Sequence, residues 1–182
     1  MLIELAAFCA GLVFASFGEW TLHRFLMHGP NFPWKYPYTQ HQKVHHKIFE
    51  WHDTYLLHRK EDSKFLTFAW WNVPLLLGIL GGGIGLVRMA TGWPIFWGAF
   101  VSQALYYASY ETMHYAMHVP RGRWFEHTSW FQWINHHHWV HHRYFLKNLN
   151  VVLPLADYLL GTRKYVVGLP PDAAVVGVSR GE

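Results

Sequence analysis

The chain alternates long apolar runs with polar segments that are rich in aromatic and basic residues. Residues 65–87 carry no charged side chain over 23 positions, and residues 89–110 carry none over 22. A helix needs about 20 apolar residues to cross a bilayer, so each run predicts a membrane span. Arg88 separates the two runs, and the turn residues at 91–94 just beyond it predict a helical hairpin.

A third candidate span lies near the N-terminus. Residues 5–18 are uncharged, and residues 2–27 together have the length of a spanning helix. A signal peptide is the alternative interpretation of this stretch. Its first residues carry Glu4 and no Lys or Arg, which disfavours cleavage. We therefore expect three spans, one single helix followed by the hairpin.

A cluster of glycines, GGGIG at 81–85, lies inside the first apolar run of the hairpin. It lacks the G-x-G-x-x-G order of a dinucleotide-binding loop, and no predicted strand precedes it. Small residues in membrane helices let neighbouring backbones approach closely. We therefore expect these glycines to serve helix packing and not phosphate binding.

Basic residues predict the orientation of the chain in the membrane. Of the 15 Lys and Arg, seven lie between residues 24 and 64, seven lie beyond residue 120, and only Arg88 lies in the hairpin. By the positive-inside rule, both polar segments face the cytoplasm and the N-terminus faces away. The expected fold is a single all-α integral membrane domain over residues 1–182, with about three transmembrane helices and a cytoplasmic, histidine-rich helical cap.

Composition supports a membrane protein and excludes several other classes. Apolar residues make up 52% of the chain and charged residues 14%, against about 25% charged in soluble domains. The one cysteine, Cys9, allows neither a disulfide framework nor a thiolate metal site. With a net charge of +4 and no long basic run, anionic membrane lipids are the expected partner and nucleic acid is not.

Ten of the fifteen histidines fall into four ordered groups. They are His23 and His28 (H-x4-H), His41, His45 and His46 (H-x3-H-H), His114 and His118 (H-x3-H), and His138, His141 and His142 (H-x2-H-H). Each half of the chain thus holds a pair at a predicted helix end and a triplet after it, all on the predicted cytoplasmic side. Imidazole suits iron, copper, nickel and zinc. Ten ligands are too many for one ion, so the pattern predicts a two-metal site.

Helical spacing predicts which of these histidines share a face. The predicted sets are His114 with His118, His41 with His45 (and His46 beside them), and His138 with His141 and His142. His23 and His28 are about 140° apart on an ideal helix. These two can converge only if the helix is distorted, or else they serve different metals.

Other metal chemistries fit the sequence less well. The zinc-protease motif H-E-x-x-H is absent. Carboxylate-bridged di-iron bundles need two E-x-x-H motifs and two further glutamates. This chain offers one such motif, Glu111-Thr-Met-His114, and only Glu19 could join it from another helix. Bis-histidine haem ligation would use only two to four of the histidines and would leave the H-H doublets unexplained. Glu19 and Glu111 are either acceptors for imidazole N–H groups, Glu19 for His23 at i+4, or simple helix-surface charges.

The histidine groups resemble the boxes of the fatty acid hydroxylase/sterol desaturase superfamily of integral membrane oxygenases. The similar segments, in order, are EWTLHRFLMH (19–28), HQKVHH (41–46), HYAMH (114–118), HWVHH (138–142) and the closing ADYLLGT (156–162). The resemblance covers residues 12–163, and residues 164–182 are expected to form a loop and tail. Members often have four or more spans, so an oligomer could complete the substrate channel here.

The resemblance implies a non-haem centre of two iron ions that uses O2 and two electrons to hydroxylate a C–H bond of a lipid. All ten histidines would be metal ligands. The run HHHWVHH permits a second register with His137, but His138 fits the family spacing better. His52, His58 and His127 lie outside the boxes and are expected to be interfacial or to support the ligands.

Substrate and partners stay open within this resemblance. Acyl lipid is slightly favoured, with carotenoid and sterol as alternatives, and box spacing does not separate hydroxylation from desaturation or deformylation. No dinucleotide fingerprint occurs in the chain, which implies a separate electron donor such as a ferredoxin, a cytochrome or a reductase. A non-enzymatic membrane metal carrier or sensor is the alternative from another class.

Overall fold

The computed structural model describes residues 1–171, and every regular element in that part of the chain is helical. The helices are α1 (Leu2–Leu22), α2 (Lys35–Tyr38), α3 (His46–Ile48), α4 (Asn72–Thr91), α5 (Phe96–His118), α6 (Ser129–Arg143) and α7 (Leu155–Leu159). Two π-helical segments, His23–Met27 and Thr39–His45, directly follow α1 and α2. Short 3-10 turns occupy Asp53–Tyr55, Lys60–Phe65 and Trp124–His127. The all-α prediction is confirmed for these residues; of the predicted tail, 172–182 lie outside them.

Two helical stretches are long and apolar enough to cross a bilayer, Leu2–Met27 and Asn72–Thr91. No residue of α4 is buried, and Ile79 is 65% exposed. The core helix of a soluble protein would hide such an apolar surface, so α4 has the character of a lipid-facing helix. The third predicted span corresponds to α5, which is 23 residues long but carries Gln103, Glu111 and four tyrosines. Composition alone therefore does not mark α5 as a span.

The hairpin differs from the charge-free runs at both ends. Residues 65–71 precede α4 instead of belonging to it, because this stretch lies against the histidine-rich cap. Arg88 lies inside α4 and does not end it. The helix ends at Thr91, and the next residue, Gly92, has the left-handed conformation (φ 71°) that usually stops a helix. The turn therefore follows Thr91, at the Thr-Gly-Trp-Pro sequence that predicted it.

Helices α1 and α5 pack side by side and run in the same direction. Near their starts, the backbone N–H of Gly98 donates to Glu4 Oε2 at 2.5 Å. Further along, the hydroxyl of Tyr106 donates to Glu19 Oε2 at 2.6 Å. Because the contacting positions advance together along both helices, α1 and α5 are parallel. Helix α4, which lies between them in the sequence, runs in the opposite direction. Their C-terminal ends therefore meet on one side of the bundle, where both histidine pairs lie.

The closest approaches between helices fall on two glycines outside the predicted cluster. A Cβ added at Gly98 would lie 2.0 Å from the backbone oxygen of Glu4, and one at Gly11 would lie 2.0 Å from a serine Oγ of α5. By contrast, Gly82 and Gly83 of α4 face open space. The packing prediction for the α4 glycine cluster is therefore wrong at these two positions. It is confirmed at Gly81, where an added Cβ would lie 3.1 Å from a phenylalanine ring of α5.

Helix α6 forms the floor of the cap and is buried along most of its length. It begins at Thr128, whose hydroxyl accepts the backbone N–H of Phe131 at 3.2 Å. Phe131, Ile134 and Val140 belong to one hydrophobic cluster with Met117 of α5. This apolar anchoring fixes the rotation of α6, and with it the direction of the histidines that it carries.

Candidate metal centre

The ten histidines converge into two compact clusters. Site A consists of His23, His28, His41, His46 and His141, and site B consists of His45, His114, His118, His138 and His142. Within each site, one ring nitrogen from every member lies within 4.8 Å of the others. All ten side chains are 7% exposed or less. The structure thus brings together every histidine that the sequence assigned to the metals.

Each site takes its ligands from both halves of the chain. The pair after α1 and two members of the first triplet lie in site A, together with His141 from the last triplet. Site B has the mirror composition, with the pair of α5, two members of the last triplet, and His45 from the first. The two triplets therefore exchange one histidine each. This exchange ties the two halves of the chain together around both sites.

The first π segment explains how His23 and His28 can share one site. The backbone N–H of His28 donates to the carbonyl of His23, five residues earlier, at 3.0 Å. This i→i+5 bond defines a π turn, which aligns residues five apart instead of four. The two rings stack with centroids 5.0 Å apart. The helix distortion that the spacing required is present.

The second π segment separates His41 from His45. The backbone N–H of His46 donates to the carbonyl of His41, again five residues earlier. The Nε2 atoms of His41 and His46 lie 3.1 Å apart in site A, while His45 belongs to site B. The rings of His41 and His45 do stack, with centroids 5.1 Å apart, as their spacing predicted. They nevertheless belong to different sites, because the π turn brings His46 to His41.

Helix α6 lies between the sites and serves both. His138 and His142, four residues apart, have Nε2 atoms 3.0 Å apart in site B. His141 belongs to site A, with its Nε2 3.1 Å from the Nε2 atoms of His28 and His46. The triplet, predicted to share one face, therefore divides between the two sites, although the rings of His138 and His141 stack with centroids 5.6 Å apart. His141 is about 60° or more in helical rotation from each of its partners, enough to reach the second site.

Seven of the ten imidazoles are oriented through Nδ1 by a fixed acceptor. The acceptors are the carbonyls of Leu149 (for His23), Phe65 (His45), Leu66 (His114), Tyr55 (His118), Lys147 (His141) and Phe49 (His142), and Oε1 of Gln42 (His28). An Nδ1–H that donates to such an acceptor leaves the lone pair on Nε2. The protein thus fixes both the tautomer and the direction of the potential ligand atom.

Neither predicted carboxylate accepts an imidazole N–H. Glu19 accepts hydrogen bonds from a tyrosine of α5 and from the backbone N–H of Val151. Glu111 accepts from the backbone N–H of Phe68 and from a second tyrosine of α5. The first of the two alternatives for Glu19 and Glu111, that they accept imidazole N–H groups, is wrong, because loop carbonyls already occupy the Nδ1 positions. A neutral carbonyl also orients an imidazole without adding a charge to a buried site.

The ring nitrogens have the spacing of ligands around a shared cation. The nearest Nε2 pairs lie 2.9 Å (His23 to His41) to 3.3 Å (His118 to His138) apart, and all ligand atoms of one site lie within 4.8 Å of one another. Nitrogens about 2.1 Å from a metal ion lie about 3.0 to 3.4 Å from each other. Nε2 of His45 in site B is buried and has no hydrogen-bond partner, which costs about 1–3 kcal/mol if it is left unsatisfied. Each site could therefore hold one metal ion.

Burial keeps the cap histidines in the form that binds metals. The pKa of His28 is lowered to about 4, mainly by desolvation. Desolvation, followed by repulsion from neighbouring histidines, lowers the pKa well below its usual value for His41, His45, His46, His138, His141 and His142. Neutral imidazole is the ligand form. At neutral pH no proton therefore has to leave these rings before a metal binds.

An apolar cavity of about 700 Å³ reaches both sites. Its walls come mainly from α1, α4 and the segment before α4, and no carboxylate lies among the described residues that line it. His41 of site A and His45 and His114 of site B line it as well. Ligand pockets typically measure about 300–1,000 Å³. An apolar molecule in this cavity would therefore lie directly beside the histidines.

The cavity opens sideways between α1 and α4. Phe14 of α1 and Ile79 of α4 both line it, yet they are 61% and 65% exposed. Both residues lie within the two stretches that can cross a bilayer. The cavity therefore faces the depth at which lipid chains lie.

The structure separates His137 from the ligand sets. Its Nε2 donates to Asp157 Oδ2 at 3.0 Å, and it belongs to neither site, whereas His138 lies in site B. Sequence reasoning missed Gln42 and the role of Asp157. Gln42 lies inside the HQKVHH segment and Asp157 inside ADYLLGT, so their position in these segments was the available signal. His52, His58 and His127 lie outside both sites.

The fold and the two sites define a class: a helical membrane protein in which two buried all-histidine sites, each able to hold a metal ion, adjoin an apolar cavity. The chain belongs to the fatty acid hydroxylase family, whose model matches residues 8–162. This match confirms the resemblance of the histidine boxes and covers all ten histidines. The family consists of hydroxylases and desaturases, which makes the chain an oxidoreductase. No curated protein and no solved structure matches it.

Proposed function

We propose that the protein is a di-iron oxygenase that hydroxylates a C–H bond of a membrane lipid. The observation that carries this proposal is the position of His41, His45 and His114, which belong to the two sites and also line the apolar cavity. A molecule in the cavity would meet both sites at once. Two irons, when bound by the ten histidines, would supply the activation of O2.

The reaction consumes one lipid C–H bond, one O2, two electrons and two protons, and yields a hydroxylated lipid and water. The chain's own residues orient the ligand nitrogens through Nδ1, keep the imidazoles neutral and shield the sites from bulk water. The apolar walls of the cavity hold the substrate chain against them. A separate donor, such as a ferredoxin, a cytochrome or a reductase, supplies the electrons.

The side opening favours an acyl lipid as the substrate. A flexible chain can enter from the bilayer between α1 and α4 while its headgroup stays at the membrane surface. Apolar side chains of both helices, including Leu22 and Leu76, line the route toward the histidines. A carotenoid or a sterol would use the same opening and forms the alternative outcome of the test. A metal carrier or sensor would not need an apolar cavity beside its metal sites.

The proposal is tested by isotope incorporation. The protein is loaded with iron anaerobically in lipid nanodiscs, reduced with dithionite and exposed to 18O2, with acyl lipid, sterol and carotenoid in separate samples. We expect one 18O atom in the acyl lipid product and none with His118→Ala. His136→Ala is the matched control, because His136 lies on α6 outside both sites and bonds to the carbonyl of Val166.

Two results would decide against parts of this proposal. Incorporation into sterol or carotenoid alone would replace the substrate class and keep the reaction. The oxygenase would be contradicted if no lipid gained 18O although the protein held two irons and dithionite had reduced them. That result would favour the metal carrier or sensor.

A further inference from the structure

The loop at residues 147–151, between α6 and α7, carries two of the carbonyls that orient site A. The carbonyl of Lys147 accepts the Nδ1–H of His141 at 2.9 Å, and that of Leu149 accepts the Nδ1–H of His23 at 2.5 Å. The carbonyls that orient site B come from residues 49–66 instead. This loop therefore orients histidines of site A, and none of the carbonyls that orient site B lies in it.

Asp157 of α7 holds the loop from one side. Its Oδ1 accepts the backbone N–H of Leu149 at 3.0 Å, and its Oδ2 accepts that of Asn150 at 2.8 Å. The hydroxyl of Thr162 and Nε2 of His137 donate to the same carboxylate at 2.6 and 3.0 Å. Four donors thus surround a side chain that is fully buried. The orientation of the carboxylate, and of the loop backbone bound to it, is fixed.

Glu19 of α1 holds the loop from the other side. Its Oε1 accepts the backbone N–H of Val151 at 2.6 Å, and its Oε2 accepts Nδ2 of Asn150 at 3.0 Å. Glu19 lies one helical turn before His23, the ligand that Leu149 orients. Two carboxylates from different helices therefore bind three consecutive residues of the loop, on either side of the carbonyl that His23 uses.

We propose that Asp157 and Glu19 act as a carboxylate clamp that positions site A, while site B assembles without it. Both are positioning residues, and the inference rests on the proposed two-metal function. Without the clamp, the loop carbonyls turn away, His23 and His141 lose their Nδ1 acceptors, and their Nε2 lone pairs are no longer aimed at a common point. Removing such an orienting partner typically weakens metal binding about 10- to 100-fold.

The first experiment measures iron bound to the full chain in mild detergent. Asp157→Asn keeps the size of the side chain but places an amide NH2 against groups that themselves donate. We expect it to lose one of two irons at micromolar free iron. Glu126→Gln is the matched control, because Glu126 is also buried and accepts two backbone N–H groups, yet it contacts no histidine of either site. It should keep both irons.

Double variants show which iron is lost. If Asp157 serves site A, Asp157→Asn combined with His28→Ala should still bind one iron, because both changes affect the same site. Combined with His118→Ala, it should bind almost none. The clamp is overturned if Asp157→Asn retains two irons, or if it loses both equally, which would mean that the carboxylate only holds the fold together.

A second readout needs no metal. In the metal-free protein, 15N NMR of the imidazole rings reports the tautomer of each histidine. We expect Asp157→Asn, or the milder Thr162→Val if Asp157→Asn does not fold, to convert His23 and His141 to mixed tautomers and to leave His45 unchanged. Unchanged rings throughout would overturn the clamp. A wild type that binds no iron would overturn the two-metal function, and the tautomers would still decide the clamp.

Discussion

At the scale of single residues, the chemistry of the centre depends on which imidazole nitrogen is free. Backbone carbonyls bind the Nδ1–H of six ligand candidates, and a glutamine binds a seventh. These carbonyls belong to loops and to the last residues of short 3-10 turns, where they are not used by helix hydrogen bonds. Sequence patterns cannot identify such partners, because every residue has a carbonyl. This is why the predicted acidic acceptors, Glu19 and Glu111, were the wrong ones.

Removing one imidazole from each site should empty the sites separately. We expect His28→Ala to lose the iron of site A and His118→Ala that of site B, each leaving about one iron per chain. His136→Ala should keep two. Plasma mass spectrometry of the purified proteins measures this directly. Full iron content in both ligand variants would contradict the assignment of these histidines to metals.

At the scale of elements, two π turns turn simple spacings into a pair of sites. In an α-helix, His23 and His28 would diverge, and His41 would pair with His45. In π geometry, residues five apart come together, so His28 joins His23 and His46 joins His41. A π turn is rare and often occurs at functional sites. The H-x4-H spacing was the signal for the first π turn. The spacing of the histidines in residues 41–46 gave no such signal for the second.

Gly29 should be essential for the first π turn. A Cβ at this position would lie 2.0 Å from the backbone oxygen of Phe25, so Gly29→Ala must displace the turn that carries His28. We expect loss of the site A iron and a destabilisation of about 1–3 kcal/mol, as for other overpacked positions. Thermal unfolding and iron content measure the two effects.

Gly82→Ala is the control for that substitution. Gly82 faces open space on α4, where alanine favours the helix by up to about 1 kcal/mol. It should keep both irons and unfold at the same or a higher temperature. A Gly29→Ala protein that behaves like this control would show that the π turn tolerates a side chain.

At the scale of the whole molecule, the two parallel helices α1 and α5 bring their histidine pairs to the same end of the bundle. The cap then closes over them, and the cavity approaches the same point from the side of the membrane. The sites face polar loops on one side and an apolar opening between α1 and α4 on the other.

Gly18 should control the width of that opening. It lines the cavity, and a side chain added there would meet open space. We expect Gly18→Phe to fold and to bind two irons, but to form product at least about tenfold more slowly, because the ring fills the route of the lipid chain. Gly82→Phe, which also faces open space but does not line the cavity, is the matched control. Equal rates for both variants would rule out this route.

Cysteine labelling tests the orientation of the chain. In a Cys9→Ser background, single cysteines replace Lys60 and Trp124 in the cap and Trp93 in the hairpin turn. An impermeant maleimide should label the cap positions only in inside-out vesicles and Trp93→Cys only in right-side-out vesicles. The reverse labelling would place the cap outside the cell. Labelling of Trp93→Cys and Trp124→Cys from one side would show that α5 does not cross the membrane.

The sequence by itself determined the family, the helical class, the apolar stretches and the identity of the ten histidines. These follow from composition and local spacing, which a chain carries wherever it folds. Only the tertiary structure decided how the histidines divide between two sites, why His137 bonds to Asp157 and lies outside both sites, and which loop carbonyls orient the rings. Those outcomes depend on π turns and on contacts between residues more than 100 positions apart, such as His23 with Leu149. No local pattern encodes such a contact, because it exists only when several segments are packed at once.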